Sequence, residues 1–328
     1  ARLLGVREPS AHRVTPPCPL FSVCGGCSLQ MADPEYQTEL RLSILSDSLT
    51  RAHVPFEGHP SALTGDPLGY RSRFQFHRTR DGRVGLKEGK SDSIVPIGDC
   101  PVALRAIRDS LTSGELARIS RKGNVDDRFH VFSDGERLWV EDIDNLCTVR
   151  ILGEDISFDV RGFFQSNLGM LARAMEAVCK GLPEGTRLLD FYSGVGTFSV
   201  FAGSRYRETV LVEHNKEALA MAEKNLARHD GPVTLCAVSD ERWPSHPASR
   251  LAYDCAIVDP PRQGIGKAAL EWFAASKIPE LRYVSCDPVT FARDAARLCA
   301  SGFTLDDVTL LDFYPQTSHI ETFGVFRR

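Results

Sequence analysis

Leu188-Leu189-Asp190-Phe191-Tyr192-Ser193-Gly194-Val195-Gly196-Thr197 is the stretch that decides the fold. An apolar run reaches an acid and two aromatics, and a Gly-x-Gly turn then opens a helix-like pattern from about Phe198. This is a glycine-rich loop behind a buried strand, the place where open α/β sheets take their ligands. The third glycine of a dinucleotide site is missing, so the loop alone names no ligand. Outward from it, strand patterns at 187–192, 208–213, 233–238, 254–258 and 282–285 alternate with helices from about Phe198, Lys216, Lys267 and Val289. Such alternation predicts a parallel sheet covered on both faces. An amphipathic helix carrying Leu168, Leu171, Met175, Val178 and Leu182 precedes the first strand. The last two strands, 303–312 and 320–326, have no helix between them and are expected as an antiparallel hairpin on the sheet's edge.

Acids stand at successive strand ends: Asp190, Glu213, Asp240 and Asp259. Together they repel a pyrophosphate but suit S-adenosylmethionine, whose sulfonium is cationic. Glu213 is spaced to accept ribose hydroxyls, and Asp240 to meet the adenine edge. Asp259 lies in a stiff loop, Asp259-Pro260-Pro261-Arg262-Gln263-Gly264.

Tyr283-Val284-Ser285-Cys286-Asp287-Pro288 ends the next strand in a cysteine, and Pro288 fits a helix's first turn. Cys286 is therefore expected beside the positive pole of a helix, a setting that favours the nucleophilic thiolate. The competing reading is a buried structural thiol.

The front half differs. Cys18, Cys24 and Cys27 fall within ten residues, with Gly25 and Gly26 between the last two, and Cys100 follows in Gly98-Asp99-Cys100-Pro101. Three clustered thiolates plus a distant fourth suit a [4Fe–4S] cluster, favoured here over zinc because no second close pair is present. A helix is expected over 33–54, capped by Asp33 and carrying an apolar stripe of Tyr36, Leu40, Ile44 with Leu45, and Leu49. Strand patterns follow at 70–77, 83–86, 93–97, 129–132, 138–140 and 148–152, with Asp81-Gly82 as a hairpin turn. This half reads as a mainly antiparallel α+β domain. Residues 71–90 hold seven Lys/Arg, interleaved with Phe74, Phe76 and His77, a candidate RNA-binding surface or a solvated hairpin.

The 328 residues predict two domains, set at 1–158 and 159–328, with the helix at 33–54 packing on the second. A composition 42% apolar and 25% charged is that of a globular chain; no membrane span or signal peptide is legible, so a cytoplasmic monomer is expected. The chain starts at Ala1, which points to an upstream segment removed. Ten cysteines in such a chain are not expected as a disulfide framework. Cys147, Cys179, Cys236, Cys255 and Cys299 read as core filler.

The whole chain resembles the RNA uracil-C5 methyltransferases, the RumA/TrmA family. The resemblance is carried, in order, by Cys18…Cys24-Gly-Gly-Cys27…Cys100, Tyr70-Arg71-Ser72-Arg73, Phe164-Gln165-Ser166-Asn167, Asp259-Pro260-Pro261-Arg262, Ser285-Cys286-Asp287-Pro288 and His319-Ile320-Glu321-Thr322. Departures are Asp287 for the family's usual Asn, Ser193 for a frequent Cys, and Thr197 at a position often Asn or Thr. Asp287 beside the nucleophile is expected to raise its pKa. Many members also begin with a small OB-like RNA-binding domain; residues 1–6 are expected as the tail of its last strand, the domain either trimmed away or lacking in a naturally short member.

The resemblance implies a Rossmann-like S-adenosylmethionine-dependent methyltransferase domain behind an N-terminal α+β iron–sulfur domain. It implies that Cys286 adds to C6 of a uracil, that C5 takes the methyl group, and that Glu321 removes the C5 proton. Gln165, Tyr192, Thr197, Glu213, Asp240 and Asp259 are then the cofactor-binding residues, with Gln165 and Asp259 between cofactor and base. Cys18, Cys24, Cys27 and Cys100 hold the cluster as a structural clip. Phe163 and Phe164 are candidates for base stacking or for core. The RNA partner is expected to be 23S rRNA, with the T-loop of tRNA as alternative, presented as a flipped nucleotide. A redox protein using the cluster and a catalytically dead RNA-binding module are the other classes. The missing flavin or nicotinamide fingerprint opposes the first, and the presence of both Cys286 and Glu321 opposes the second.

Overall fold

A computed structural model of the chain describes residues 5–120 and 127–328. Of the expected strand tail at 1–6, residues 1–4 lie outside the described residues, and 5–6 have no regular structure. Helix α1 (Pro34–Arg51) starts where Asp33 accepts from Tyr36 N at 2.8 Å, with proline in the first turn. Then come β1 (Ser61–Leu63), β2 (Arg73–Arg78), β3 (Val84–Lys87), β4 (Ile94–Pro96), α2 (Arg105–Thr112) and α3 (Glu115–Ile119). Strands β5 (Arg128–Ser133), β6 (Leu138–Val140), β7 (Leu146–Ile151) and β8 (Glu154–Asp159) follow. The back half opens with α4 (Leu168–Cys179), β9 (Gly185–Phe191), α5 (Thr197–Ala202), β10 (Tyr206–Val212), α6 (Lys216–Asn225) and β11 (Val233–Cys236). It ends with β12 (Cys255–Val258), α7 (Lys267–Ala275), β13 (Glu280–Ser285), α8 (Pro288–Cys299), β14 (Thr304–Leu311) and β15 (Glu321–Arg327).

The larger sheet has eight strands in the order β1-β14-β15-β13-β12-β9-β10-β11. Its parallel part is β13-β12-β9-β10-β11. The chain leaves β9 toward β10 and β11, then returns to β9's other side with β12. The carboxyl ends of β9 and β12 thus flank the topological switch, where the loops at Tyr192 and Asp259 emerge. These strands are buried on both faces. Leu189, Phe191, Ala256, Val258, Leu281 and Tyr283 enter one core with α7 and α8, while Leu188, Cys255, Ile257 and Val284 enter another with α4. Period-two alternation between two apolar layers is why the strands read as continuous hydrophobic runs.

The smaller sheet, β4-β3-β2-β5-β6, is antiparallel throughout and closes over α2 and α3 through Phe74, Phe76, Ile107, Leu111, Leu116 and Phe129. Gly82 takes φ +79° in the β2–β3 turn, where its N–H donates to Thr79 O at 2.8 Å. The β7–β8 hairpin packs on α4.

Two expectations are corrected. The β14–β15 hairpin is not the sheet's edge: β15 lies against β13, and β1, a three-residue strand from the front half, runs parallel to β14 outside it. Nor does α1 bury Tyr36, Leu40 and Ile44. Its buried face is Gln37, Arg41, Leu45 and Leu49, and Ile44 is exposed. The stripe is rotated because two polar residues on it meet partners from the far end of the chain. Arg41 makes a bidentate pair with Asp312 at 2.6 and 2.9 Å, and Gln37 pairs with Gln316. Leu45 and Leu49 join the core of the larger sheet, against α8 and β14.

Candidate active site

The β9 loop is shaped by backbone. Tyr192 has φ +64°, Gly194 +53° and Gly196 +77°. A side chain at Gly196 would also strike Ala222, 3.1 Å from the position of its Cβ. The loop seats Thr197 at the start of α5. Glu213 stays at the crevice, its two oxygens accepting from Gly194 N at 3.1 Å and Asn215 N at 2.7 Å. Asp240 accepts from Tyr192 Oη at 2.8 Å, and Tyr192 Oη accepts from Gly266 N at 3.1 Å, so β9, β11 and the β12 loop are stitched across the crevice floor.

Asp190 does not face this crevice. It is buried and turned inward, accepting from Ser199 Oγ at 2.6 Å and Ser199 N at 3.1 Å. It holds α5 against the strand, and the expected ring of crevice acids reduces to Glu213, Asp240 and Asp259. Three buried polar atoms, Gln165 Oε1, Ser193 Oγ and Thr322 Oγ1, have no protein partner. Buried polar atoms are rarely left unpaired, so these suit a ligand's hydrogen bonds.

Cys286 follows β13 directly and is half-buried. Asp287 caps α8, accepting from Val289 N at 3.0 Å and Thr290 N at 2.9 Å. Its carboxylate is engaged on the helix, and the acids that act on the thiol are others. Burial, then Glu321 and Asp259, push Cys286 up to about 12, with Arg262 opposing. The pull of the helix's positive pole is thus outweighed, and Asp287 is not among the leading groups that raise the thiol. Glu321 is itself buried and pushed up to about 8 by desolvation and by Asp259, against Arg262. Desolvation and Asp190 push Asp259 up to about 7. Cys286, Glu321 and Asp259 thus act on one another electrostatically at the end of β13.

Phe164 is core, stacked on Phe158 at 3.9 Å, whereas Phe163 is 69% exposed. Strand β2's approach is sewn to the Gln165 segment, with Ser72 N donating to Ser166 O at 2.7 Å and a bridge between Arg71 and Asn167. The basic strip is narrower than expected. Arg71 lies over the Phe74 ring at 4.9 Å, and Arg73 donates to Gly162 O at 2.8 Å. Arg80, Arg83, Lys87 and Lys90 are exposed, and Arg83 and Lys87 pair with Asp81 and Asp92.

Cys18, Cys24, Cys27 and Cys100 line one cavity of about 260 Å³. Gly25 is required there because Gly89 Cα lies 3.1 Å from where its Cβ would stand. Burial raises the thiols of Cys24 and Cys27 and pushes Cys100 up to about 12. Among the described residues no three His, Cys, Asp or Glu are gathered so as to hold a single metal ion.

The family described as tRNA (Uracil-5-)-methyltransferase matches residues 148–328, and a Treponema denticola protein named as an uncharacterized RNA methyltransferase is 42% identical over 98% of this chain and 86% of its own. The chain belongs to this family. It is an S-adenosylmethionine-dependent RNA uracil-C5 methyltransferase. A 23S rRNA (uracil(1939)-C(5))-methyltransferase from Alkalilimnicola ehrlichii is 29% identical over 100% of this chain and 86% of its own, and a Pyrococcus abyssi tRNA (uracil(54)-C(5))-methyltransferase 27% identical over 95% and 86%. The fold is that of the Pyrococcus abyssi tRNA (uracil-54, C5)-methyltransferase structure, with TM-score 0.76 and 23% identity over 98% of this chain and 88% of that one. The α/β frame that carries the crevice is thus shared with that structure. Sequence reasoning gave no role to Arg262, although its place in Asp-Pro-Pro-Arg was legible. It also missed the buried Oγ atoms of Ser193 and Thr322, whose lack of partners only the packing reveals.

Proposed function

We propose that the enzyme methylates C5 of a uridine in 23S rRNA through a covalent bond between Cys286 and C6. The observation that carries it is the placement of Cys286 against Glu321 and Asp259 at the end of β13, beside the crevice. S-Adenosylmethionine, when bound, supplies the electrophilic methyl group. Tyr192, Thr197, Glu213 and Asp240 would hold it in the crevice, whose acidic character suits a cationic ligand. Gln165, with its unpaired buried Oε1, and Asp259 stand between cofactor and uracil. A positive charge near Asp259 and Cys286 lowers both pKa values, so the thiolate is formed when the crevice is filled rather than at rest. Cys286 gives up its thiol proton to solvent as Sγ bonds to C6, electron density moves to C5, and C5 takes the methyl group. Glu321 carboxylate then accepts the C5 proton, and the Cys286–C6 bond breaks to release 5-methyluridine.

In the same reading, residues 1–158 form the cluster-bearing part that meets RNA and 159–328 the catalytic part, with α1 and β1 crossing onto the catalytic sheet. Cys18, Cys24, Cys27 and Cys100 line one cavity, and that shared lining is what supports a [4Fe–4S] cluster held by the four thiols. The cluster's work there is to tie the four segments together. The protein is read as a cytoplasmic monomer.

Methyl transfer from labelled S-adenosylmethionine to bulk RNA, followed by nucleoside analysis, tests the assignment. Labelled 5-methyluridine is expected. Label at any other base, or none, overturns it.

A further inference from the structure

We infer that Gln37 and Gln316 form a positioning clamp that sets Glu321 for proton removal, so that the start of α1 controls release of the methylated RNA. The inference rests on Glu321 being the base. The loop 312–320 delivers Glu321 to its strand, and residues from the front of the chain hold it at point after point. Gln37 and Gln316, both buried, exchange a reciprocal pair: Gln37 Nε2 donates to Gln316 Oε1 at 3.0 Å, and Gln316 N donates to Gln37 Oε1 at 3.0 Å. Gln37 Nε2 also reaches Ala32 O at 2.8 Å and Leu29 O at 3.1 Å, which fixes the amide on the segment that follows the cysteine loop.

That segment closes on the same residue from the other side. Ser28 N and Leu29 N both donate to Gln316 O, at 2.9 and 3.0 Å, and Ser318 N donates to Ser28 Oγ at 3.0 Å. Tyr70 Oη donates to Pro315 O at 2.8 Å. Gln316 sits at φ +68°, a conformation that a residue with a side chain keeps only when its surroundings impose it. Gln37 stands four residues before Arg41, whose pair with Asp312 secures the loop's other end. None of these groups lines the β9 crevice or adjoins Cys286 in sequence. A displacement of the clamp therefore acts on Glu321 more than on cofactor binding or thiol attack. Misplacing a catalytic group by about 1 Å costs on the order of 100-fold in rate.

The test uses the full chain with Gln37→Met, which keeps bulk and removes both amide functions, and Gln316→Gly, which keeps the backbone conformation and the bond from its own N–H to Gln37 Oε1 and removes the bond from Gln37 Nε2 to the Gln316 side chain. S-Adenosylhomocysteine affinity by calorimetry reports the crevice, and quenched single-turnover gels report adduct formation and decay. For both variants we expect unchanged affinity, normal appearance of the adduct, and decay slowed by about 10- to 100-fold. On a Glu321→Gln background, Gln37→Met should slow decay no further. Decay at the parent rate in the single variants overturns the clamp, as does a parallel loss of ligand affinity and adduct formation, which marks general structural support. If Glu321→Gln alone releases product normally, the assignment of the base fails, and the clamp with it. If Glu321→Gln traps the adduct and neither clamp variant does, the base stands and the clamp alone fails.

Discussion

Ser285 pairs with Thr322 across the antiparallel β13–β15 ladder, so one step beyond that pair Cys286 and Glu321 face each other from adjacent strands. The nucleophile and the proposed base are thus 35 residues apart in sequence (321 − 286) but fixed by one ladder. A hairpin at the sheet's edge would not give this. It requires β15 inserted against β13, and β14 with β1 covering its outer side.

Replacing Cys286 with alanine should abolish 5-methyluridine formation while S-adenosylhomocysteine affinity stays within about twofold, because the thiol belongs to the β13 end and not to the β9 crevice. Glu321→Gln should let the adduct form and block its release. A denaturation-resistant RNA–protein band is the readout. Full activity in the alanine variant would remove the covalent route.

The carboxylates give a pH signature. Glu321 is pushed up to about 8 and Asp259 to about 7, from ordinary values near 4. Between those limits the folded state holds protons that the unfolded state has released, so stability falls as pH rises through 8. The advantage is fully present below about pH 4 and amounts to a few kcal/mol at most. Glu321→Gln removes the need to ionise a buried group. Its melting temperature should therefore gain on the parent between pH 6 and pH 9, and an offset equal at both pH values would contradict the buried charge. Release should show the opposite trend, rising with pH as the base ionises.

The metal prediction follows from the cavity at Cys18, Cys24, Cys27 and Cys100. Protein prepared without oxygen should be brown and carry about four irons, the content of a [4Fe–4S] site. Colourless protein with stoichiometric zinc would reverse the choice of metal.

Much of the catalytic sheet was legible because its strands are short apolar runs bounded by glycine, proline and acids. What escaped the sequence depended on long-range partners. Arg41 and Gln37 break α1's apolar stripe, and nothing nearby says that Asp312 and Gln316 will neutralise the breach. The strand β1, three residues long, has no periodicity to find. Asp190 and Asp287 looked like site acids because strand ends invite that reading, yet each cements a helix start instead. The thiolate expectation used the helix's field and omitted two carboxylates arriving from β12 and β15.

The Arg41–Asp312 pair is nearly inaccessible, with side chains 2% and 5% exposed. Removing one partner strands the other's charge in the interior, at a cost of about 3–5 kcal/mol. Asp312→Ala should lower the denaturation midpoint accordingly, whereas Arg41→Met with Asp312→Leu should recover most of the loss. Equal losses for the single and double variants would show that the pair's geometry, not its charge, is what matters.

The choice between ribosomal and transfer RNA is open to direct test. Relatives named for 23S rRNA and for tRNA match at 29% and 27% identity, so overall similarity does not decide. The exposed cations Arg80, Arg83, Lys87 and Lys90 contribute phosphate contacts, each adding about 0.7–0.9 to the salt slope of binding. Two of the four already have acidic partners, Asp81 and Asp92, so the slope should be shallower than the cation count implies. Phosphate contacts position an RNA but do not identify it; base contacts do, and those are made by the nucleotide at Cys286 and its neighbours. Unmodified 23S rRNA and tRNA offered at matched salt, with the product mapped by nuclease and mass spectrometry, should show methylation of the ribosomal RNA. Product confined to the T-loop uridine of tRNA would overturn the substrate and leave the Cys286–Glu321 chemistry intact, because the same ladder serves whichever uridine is flipped into it.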